Sequence, residues 1–250
     1  MDAIILAGSP NNGLLRGCSE EHYEALIKID GKPMIRYVVD ALLECSVINR
    51  IVVSGPAELK DIFREDRLRF CESEGTVIDN SMKALAMVDN TQPVLIATCD
   101  IPLLTAKAVE DFIRLSSGAK ADFYYPIVSM EGVDRLFPEV KRTSVKLIEG
   151  TFTGGNLFIV NPDIVLRCAA RAQEFINCRK SPLKLSRLLG LKFVFKLLIN
   201  RLSIPELEEK VAELFGIRVK AVITTFPEIG IDIDKPSDYE IIAKYLDKSA

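Results

Sequence analysis

The sequence predicts an α/β fold built on a mostly parallel mixed sheet with helices on both faces. Three observations carry that expectation. Short apolar runs alternate with segments of helical periodicity, the first apolar run ends in a glycine loop, and the most apolar run ends on an aspartate. Strands that alternate with amphipathic helices need crossover connections, and these build parallel sheets buried on both faces.

The elements follow in order. Residues 3–7, AIILA, are too short and too apolar for a surface helix and read as the first strand. Residues 33–45 put Ile35, Val38, Val39 and Leu42 on one helical face, with Pro33 suited to a first turn. RIVVS (50–54) is a second strand, and 58–66 and 81–88 read as helices. PVLIATCD (93–100) is the third and most apolar strand, followed by a helix that Thr105 can cap, running to Ser116. Residues 121–128 are β-rich, and 143–162 read as two strands around a glycine turn. A helix is expected over 162–177. Ser203 and Glu206 stand in capping-box spacing for another, which Gly216 ends. A strand at 219–226 and a closing helix within 231–246 complete the pattern. With no repeat or low-complexity linker, a single domain over 1–250 is expected, carrying a basic helical insertion at about 178–216.

Composition narrows the function classes. The chain has 250 residues, 48% hydrophobic and 27% charged, with a formal net charge of −3, so a global nucleic-acid footprint is not expected. No run approaches the roughly 18 apolar residues of a membrane span. Met1-Asp2 does not read as a secretory leader. The six cysteines (Cys18, Cys45, Cys71, Cys99, Cys168 and Cys178) form no C-x-x-C pair. That argues against a zinc site, reads as small buried hydrophobes, and fits a reducing, cytoplasmic setting. His22 has no Ser or Cys triad around it, which disfavours a His-dependent hydrolase.

In a parallel sheet, ligands bind beyond the carboxyl ends of the strands. Three features fall there. The loop from Gly8 to Gly13 combines glycines with turn formers, so its backbone amides can face a phosphate; the plain alternative is an Asn/Gly-rich turn. Asp100 ends a buried strand, where a carboxylate is costly unless used. Magnesium is a suitable user, and helix capping is the alternative. Asp232 and Asp234 in IDIDKP alternate with Ile231 and Ile233, so in a strand both face one side. Spacing alone leaves open which of them joins Asp100 and which caps the next helix.

LAGS, ALIKIDGKPMI, LIATCDIPLLT, TGGN and DIDKPSDY occur in that order. The sequence thereby resembles the MobA-like NTP transferase superfamily over roughly residues 1–165 and 219–246. The resemblance implies a Rossmann-like, GT-A type nucleotidyltransferase fold. It implies an enzyme that transfers NMP from an NTP to a phosphorylated or sugar-like small-molecule acceptor, with Mg2+ and release of pyrophosphate. On that reading Leu6, Ala7, Gly8, Ser9 and the amides of Asn11, Asn12 and Gly13 hold the nucleotide phosphates. Asp100 binds magnesium with Asp232 or Asp234, and Thr153, Gly154, Gly155 and Asn156 lie near the acceptor. Lys32, in GKP, has a counterpart in many members. Three departures stand out: Ser9 replaces the family's second loop glycine, Gly13 occupies the position of a family arginine and Glu24 that of a family lysine. Arg16 and Lys28 are the candidate replacements as catalytic cations. Two other readings stand beside this one: a GT-A glycosyltransferase using a nucleotide sugar, and a nucleotide-binding regulatory protein without turnover, supported by Glu24.

Residues 179–202 carry seven Lys or Arg and no acid, interleaved with Leu and Phe. An anionic membrane or lipid-linked acceptor is one partner for such a surface. The favoured expectation is an insertion with its leucines buried over the acceptor pocket or in a dimer contact.

Overall fold

The computed structural model describes residues 1–178, 186 and 188–247. Strands β1 (Ala3–Leu6), β4 (Ile51–Gly55), β5 (Leu68–Glu72) and β6 (Val94–Thr98) lie parallel in the order β5-β4-β1-β6. The sheet continues through β10 (Leu157–Val160), β7 (Phe123–Ser129), β9 (Gly150–Gly154) and β8 (Val145–Leu147), all by antiparallel pairs. On the opposite edge of β7, β11 (Val219–Thr224) pairs parallel along six residues. The sheet is therefore mixed, with its parallel half at the N-terminal side. A separate hairpin joins β2 (Lys28–Ile29) to β3 (Lys32–Pro33). Its turn residues Asp30 (φ 52°) and Gly31 (φ 79°) are both left-handed, the geometry an Asp-Gly pair accepts.

Both faces of the parallel half are buried. Ala3 and Ile5 pack under α1 (Met34–Glu44) and α3 (Ala106–Ser116), while Ile4 and Val52 pack under α2 (Val77–Leu85) and α5 (Pro162–Cys178). A third apolar cluster joins Leu15, Ile29 and Met34 to Ile231, Ile233 and Ile242 of α8 (Pro236–Asp247). A fourth gathers Ile127, Leu147, Phe152 and Ala221 with Leu202 and Ile204. Here lie α6 (Leu191–Leu198) and α7 (Ile204–Phe215), which has the expected capping box of Ser203 and Glu206 and a left-handed Gly216 at its end.

Several boundaries differ from the sequence expectations. The helix expected at 58–66 is a 3-10 turn at Ala57–Leu59, because only Leu59 of that segment is fully buried and the chain must turn back into β5. Strand β5 escaped notice because it is a sheet-edge strand in which Arg69 and Glu72 break up the apolar Leu68, Phe70 and Cys71. Helix α2 begins four residues before position 81, capped by Thr76 with Asp79. Residues 143–162 form three strands, and α4 (Met130–Leu136) was not anticipated. Residues 231–234 form no strand, yet Ile231 and Ile233 are buried as alternation requires, and Ile233 N–H donates to the Asp100 carbonyl at 3.0 Å. Of the basic segment, 179–185 and 187 fall outside the described residues.

Candidate active site

The loop after β1 is held by its own side chains. Ala7 N–H donates to Ser54 O at 2.7 Å, and Pro10 bridges Tyr23. Asn11 is buried and donates through Nδ2 to the carbonyls of Ser19 and Glu21, each at 3.0 Å. The Arg16 guanidinium donates to the carbonyls of Glu20 at 2.7 Å and Glu21 at 3.2 Å. Leu15, 1% exposed, anchors the loop among Ile231 and Ile233. Asn11 and Arg16 are thus engaged as braces. The amides of Asn11 and Asn12 are also taken, by His22 O at 2.8 Å and Pro10 O at 2.9 Å. Among the described residues, the N–H groups of Gly8, Ser9 and Gly13 donate to no protein group. A Cβ on Gly8 would stand 2.9 Å from Ser73 Oγ, so any larger residue there requires Ser73 to turn away. Leu6 ends β1 just before this loop.

The lysines of the hairpin differ in availability. Lys32 pairs with Asp40 at 2.6 Å and lies 4.2 Å over the Tyr37 ring. Lys28 is exposed and makes no ion pair among the described residues; its carbonyl accepts from the Tyr239 hydroxyl at 2.8 Å. Glu24 N–H donates to Ser9 O at 3.1 Å, and its charge acts with burial and Asp100 to push the Cys99 thiol up.

The carboxyl end of β6 gathers three acids. Oxygens of Asp100, Asp232 and Asp234 all lie within 4.8 Å of one another. Burial, then the neighbouring Asp232 charge, pushes the Asp100 carboxyl up to about 7, although the Thr98 hydroxyl donates to it. Burial likewise raises Asp232, opposed by an ion pair with Arg142, whose side chain is 14% exposed. Position 232 is set from behind: Thr105 caps α3 and also donates to the buried Glu228 at 3.0 Å, in the turn just upstream. Three carboxylates against one guanidinium leave the cluster anionic. Such an all-oxygen donor set fits a hard divalent cation such as magnesium, and the free amides nearby suit an anion.

Thr153, Gly154, Gly155 and Asn156 form the step where the chain leaves β9 and enters β10 along the same edge of β7. Gly155 N–H donates to Pro126 O at 3.0 Å, and a Cβ there would meet Ile229 at 2.7 Å and Pro126 at 2.8 Å. The Asn156 carbonyl accepts from Thr98 N–H at 3.1 Å, while its buried Nδ2 has no partner. A Cβ on Gly154 would collide with the Tyr125 hydroxyl, whose pKa is raised by burial and then by Asp232. The structure therefore brings TGGN, Tyr125 and Arg142 to the acid cluster. Sequence reasoning missed Arg142 and Tyr125: one sits in a stretch without a motif, the other inside an ordinary strand pattern. The alternation of β7 was the one signal that could have shown Tyr125 to face its partner strand's glycines.

The sequence profile described as the MobA-like NTP transferase domain matches residues 3–173. Among solved structures, a hypothetical transferase from Thermus thermophilus is 34% identical with a TM-score of 0.84, covering 95% of this chain and 98% of that one. The 4-diphosphocytidyl-2C-methyl-D-erythritol synthase from Anaerococcus prevotii shares the fold at 13% identity, with a TM-score of 0.59 over 98% and 95% of the two chains. Among curated proteins, the bifunctional protein GlmU of Thermoanaerobacter pseudethanolicus is 33% identical over 117 residues, 44% of this chain. The chain spans 24% of the length of that relative.

Proposed function

The chain belongs to the MobA-like NTP transferase domain family of nucleotidyltransferases, and from that premise we propose that it transfers NMP from an NTP to a phosphorylated or sugar-like acceptor. In this reaction an acceptor oxygen bonds to the α-phosphorus, the α–β phosphoanhydride bond breaks, pyrophosphate leaves, and the acceptor oxygen gives up its proton. The observation that carries the reading is the convergence of three carboxylates beside a loop with unpaired amides.

The amides of Gly8, Ser9 and Gly13 cradle the triphosphate, with Leu6 and Ala7 leading the chain into that loop. Asn11, Asn12 and Arg16 keep the loop in shape, so Arg16 serves the phosphates through the loop. Asp100 and Asp232, with Asp234 at the solvent side, are the residues to hold Mg2+. When bound, that ion neutralises charge building on the transferring phosphate and the leaving pyrophosphate. Lys28 is a mobile-length cation free to reach the phosphates, whereas Lys32 stiffens the hairpin through Asp40. Gly154 and Gly155 keep the floor beside Tyr125 open, and Thr153, the unpartnered Asn156 amide and Arg142 face the acceptor side. The cytoplasm is the setting in which such a donor is at hand.

Thermal shifts with CTP, GTP, ATP and UTP, with and without magnesium, on wild type and Asp100→Ala, test the donor site. A shift for one NTP that needs both magnesium and Asp100 is expected. No shift with any NTP removes the proposal. Glu24 favours a second reading, nucleotide binding without turnover, because an acid there adds to the charge opposing a triphosphate. Pyrophosphate release with the bound NTP and a panel of phosphorylated acceptors separates the two.

A further inference from the structure

Helix α6 presents two apolar faces, and only one is covered. Phe193 and Leu197 pack against the cluster of Leu202, Ile204 and Ala221. Leu191, Phe195 and Leu198, spaced i, i+4 and i+7, line the other face and are 82%, 62% and 74% exposed. Ile148, 65% exposed at the end of the edge strand β8, lines an open groove of about 620 Å³ with Phe195 and Ile199. Within this one chain, therefore, no residue of α6 is fully buried.

The rim of the groove names its occupant. Lys192, Lys196 and Arg201 line it, and among the described residues no acid does. Lys196 is paired with Glu206, while Lys192 and Arg201 make no ion pair among the described residues. In an isologous contact with a second copy the groove meets itself, and among the described residues it offers Lys192 and Arg201 no acid to pair with. An anionic bilayer offers the complement to both features: acyl chains for the Leu/Phe face and headgroup charge for the cations. No helix among the described residues is long and apolar enough to cross a membrane, so the contact is with the surface. We propose that α6 and the end of β8 form a peripheral docking surface for an anionic lipid bilayer. This inference does not depend on nucleotidyl transfer.

Co-sedimentation of the full chain with phosphatidylglycerol/phosphatidylcholine vesicles, against pure phosphatidylcholine, tests it. The wild type is expected to pellet with the anionic vesicles only, and less so at high salt. Each of Lys192→Glu and Arg201→Glu is expected to lower partitioning by about fivefold or more. The double variant Leu191→Glu/Phe195→Glu is expected to abolish it while melting as the wild type does, because both side chains already stand in water. Wild type left in the supernatant with anionic vesicles overturns the proposal, as does undiminished pelleting of the Leu191→Glu/Phe195→Glu protein. So does a wild-type dimer by light scattering that this variant makes monomeric without any vesicle binding, which would give the face to a second copy.

Discussion

The acid cluster and the basic corner carry opposite charge and are built in opposite ways. Asp100 and Asp232 come from distant parts of the chain and meet at the end of β6, largely covered, with Arg142 alone among the described residues paired against them. Lys192 and Lys196 are near neighbours on one helix; water screens the first and Glu206 pairs with the second. The cluster thus stores unfavourable charge that a cation would relieve, whereas the charges of the corner are screened or paired and store none.

The largest expected effect breaks the acid cluster. Asp232→Asn removes one carboxylate and strips Arg142 of its partner; pyrophosphate release is expected to fall by about 100-fold or more. A variant with turnover near wild type would remove Asp232 from the metal role. Next comes the packing beneath the glycine loop after β1. Leu15→Ala should cost about 2–4 kcal/mol in urea unfolding, because Leu15 is fully buried among Ile231 and Ile233.

Two pH effects of opposite sign sharpen the comparison. With Asp100 pushed up to about 7, the folded protein holds a proton that the unfolded chain releases near 4. This group therefore lowers metal-free stability as pH rises from about 4 to about 7. Metal-free Asp100→Asn should melt above wild type at pH 8 and gain nothing from magnesium; a wild type that melts the same with and without magnesium at pH 8 would sink this account. Asp122 gives the smaller, reversed effect. Its carboxyl is held down to about 2 by the hydrogen-bonded Arg218 guanidinium, at 2.7 Å. The stability it lends is present above about 4 and is lost as pH falls toward 2. Asp122→Asn should flatten the acid limb of the melting curve over that window, and an unchanged limb would mean that solvent screens the pair fully.

Much of the fold was legible because burial on both faces leaves runs such as IILA and VLIAT that admit few alternatives. The capping boxes are local and also legible, as Ser203 and Glu206 show; that of Thr76 and Asp79 was present in the sequence and went unread. The edge strand β5 was hidden by its charged outer residues, and the helix expected at 58–66 by a pattern that tertiary context cut short. The family's motifs pointed to Asp100, Asp232 and Asp234 by order along the chain. That both Asp232 and Asp234 lie with Asp100, without a strand to align them, was decided by the packing of Ile231 and Ile233.

By itself, then, the sequence determined the alternating architecture, the family, and the acids that end its apolar runs, since these rest on local periodicity and on backbone demands at single residues. Only the tertiary structure decided which cations are engaged elsewhere and which reach the acid cluster. It tied Arg16 into the loop and Lys32 to Asp40, and it delivered Arg142 from a stretch with no motif. It also turned one face of α6 outward. Long charged side chains choose partners through space, and the free energy of that choice is absent from their spacing along the chain.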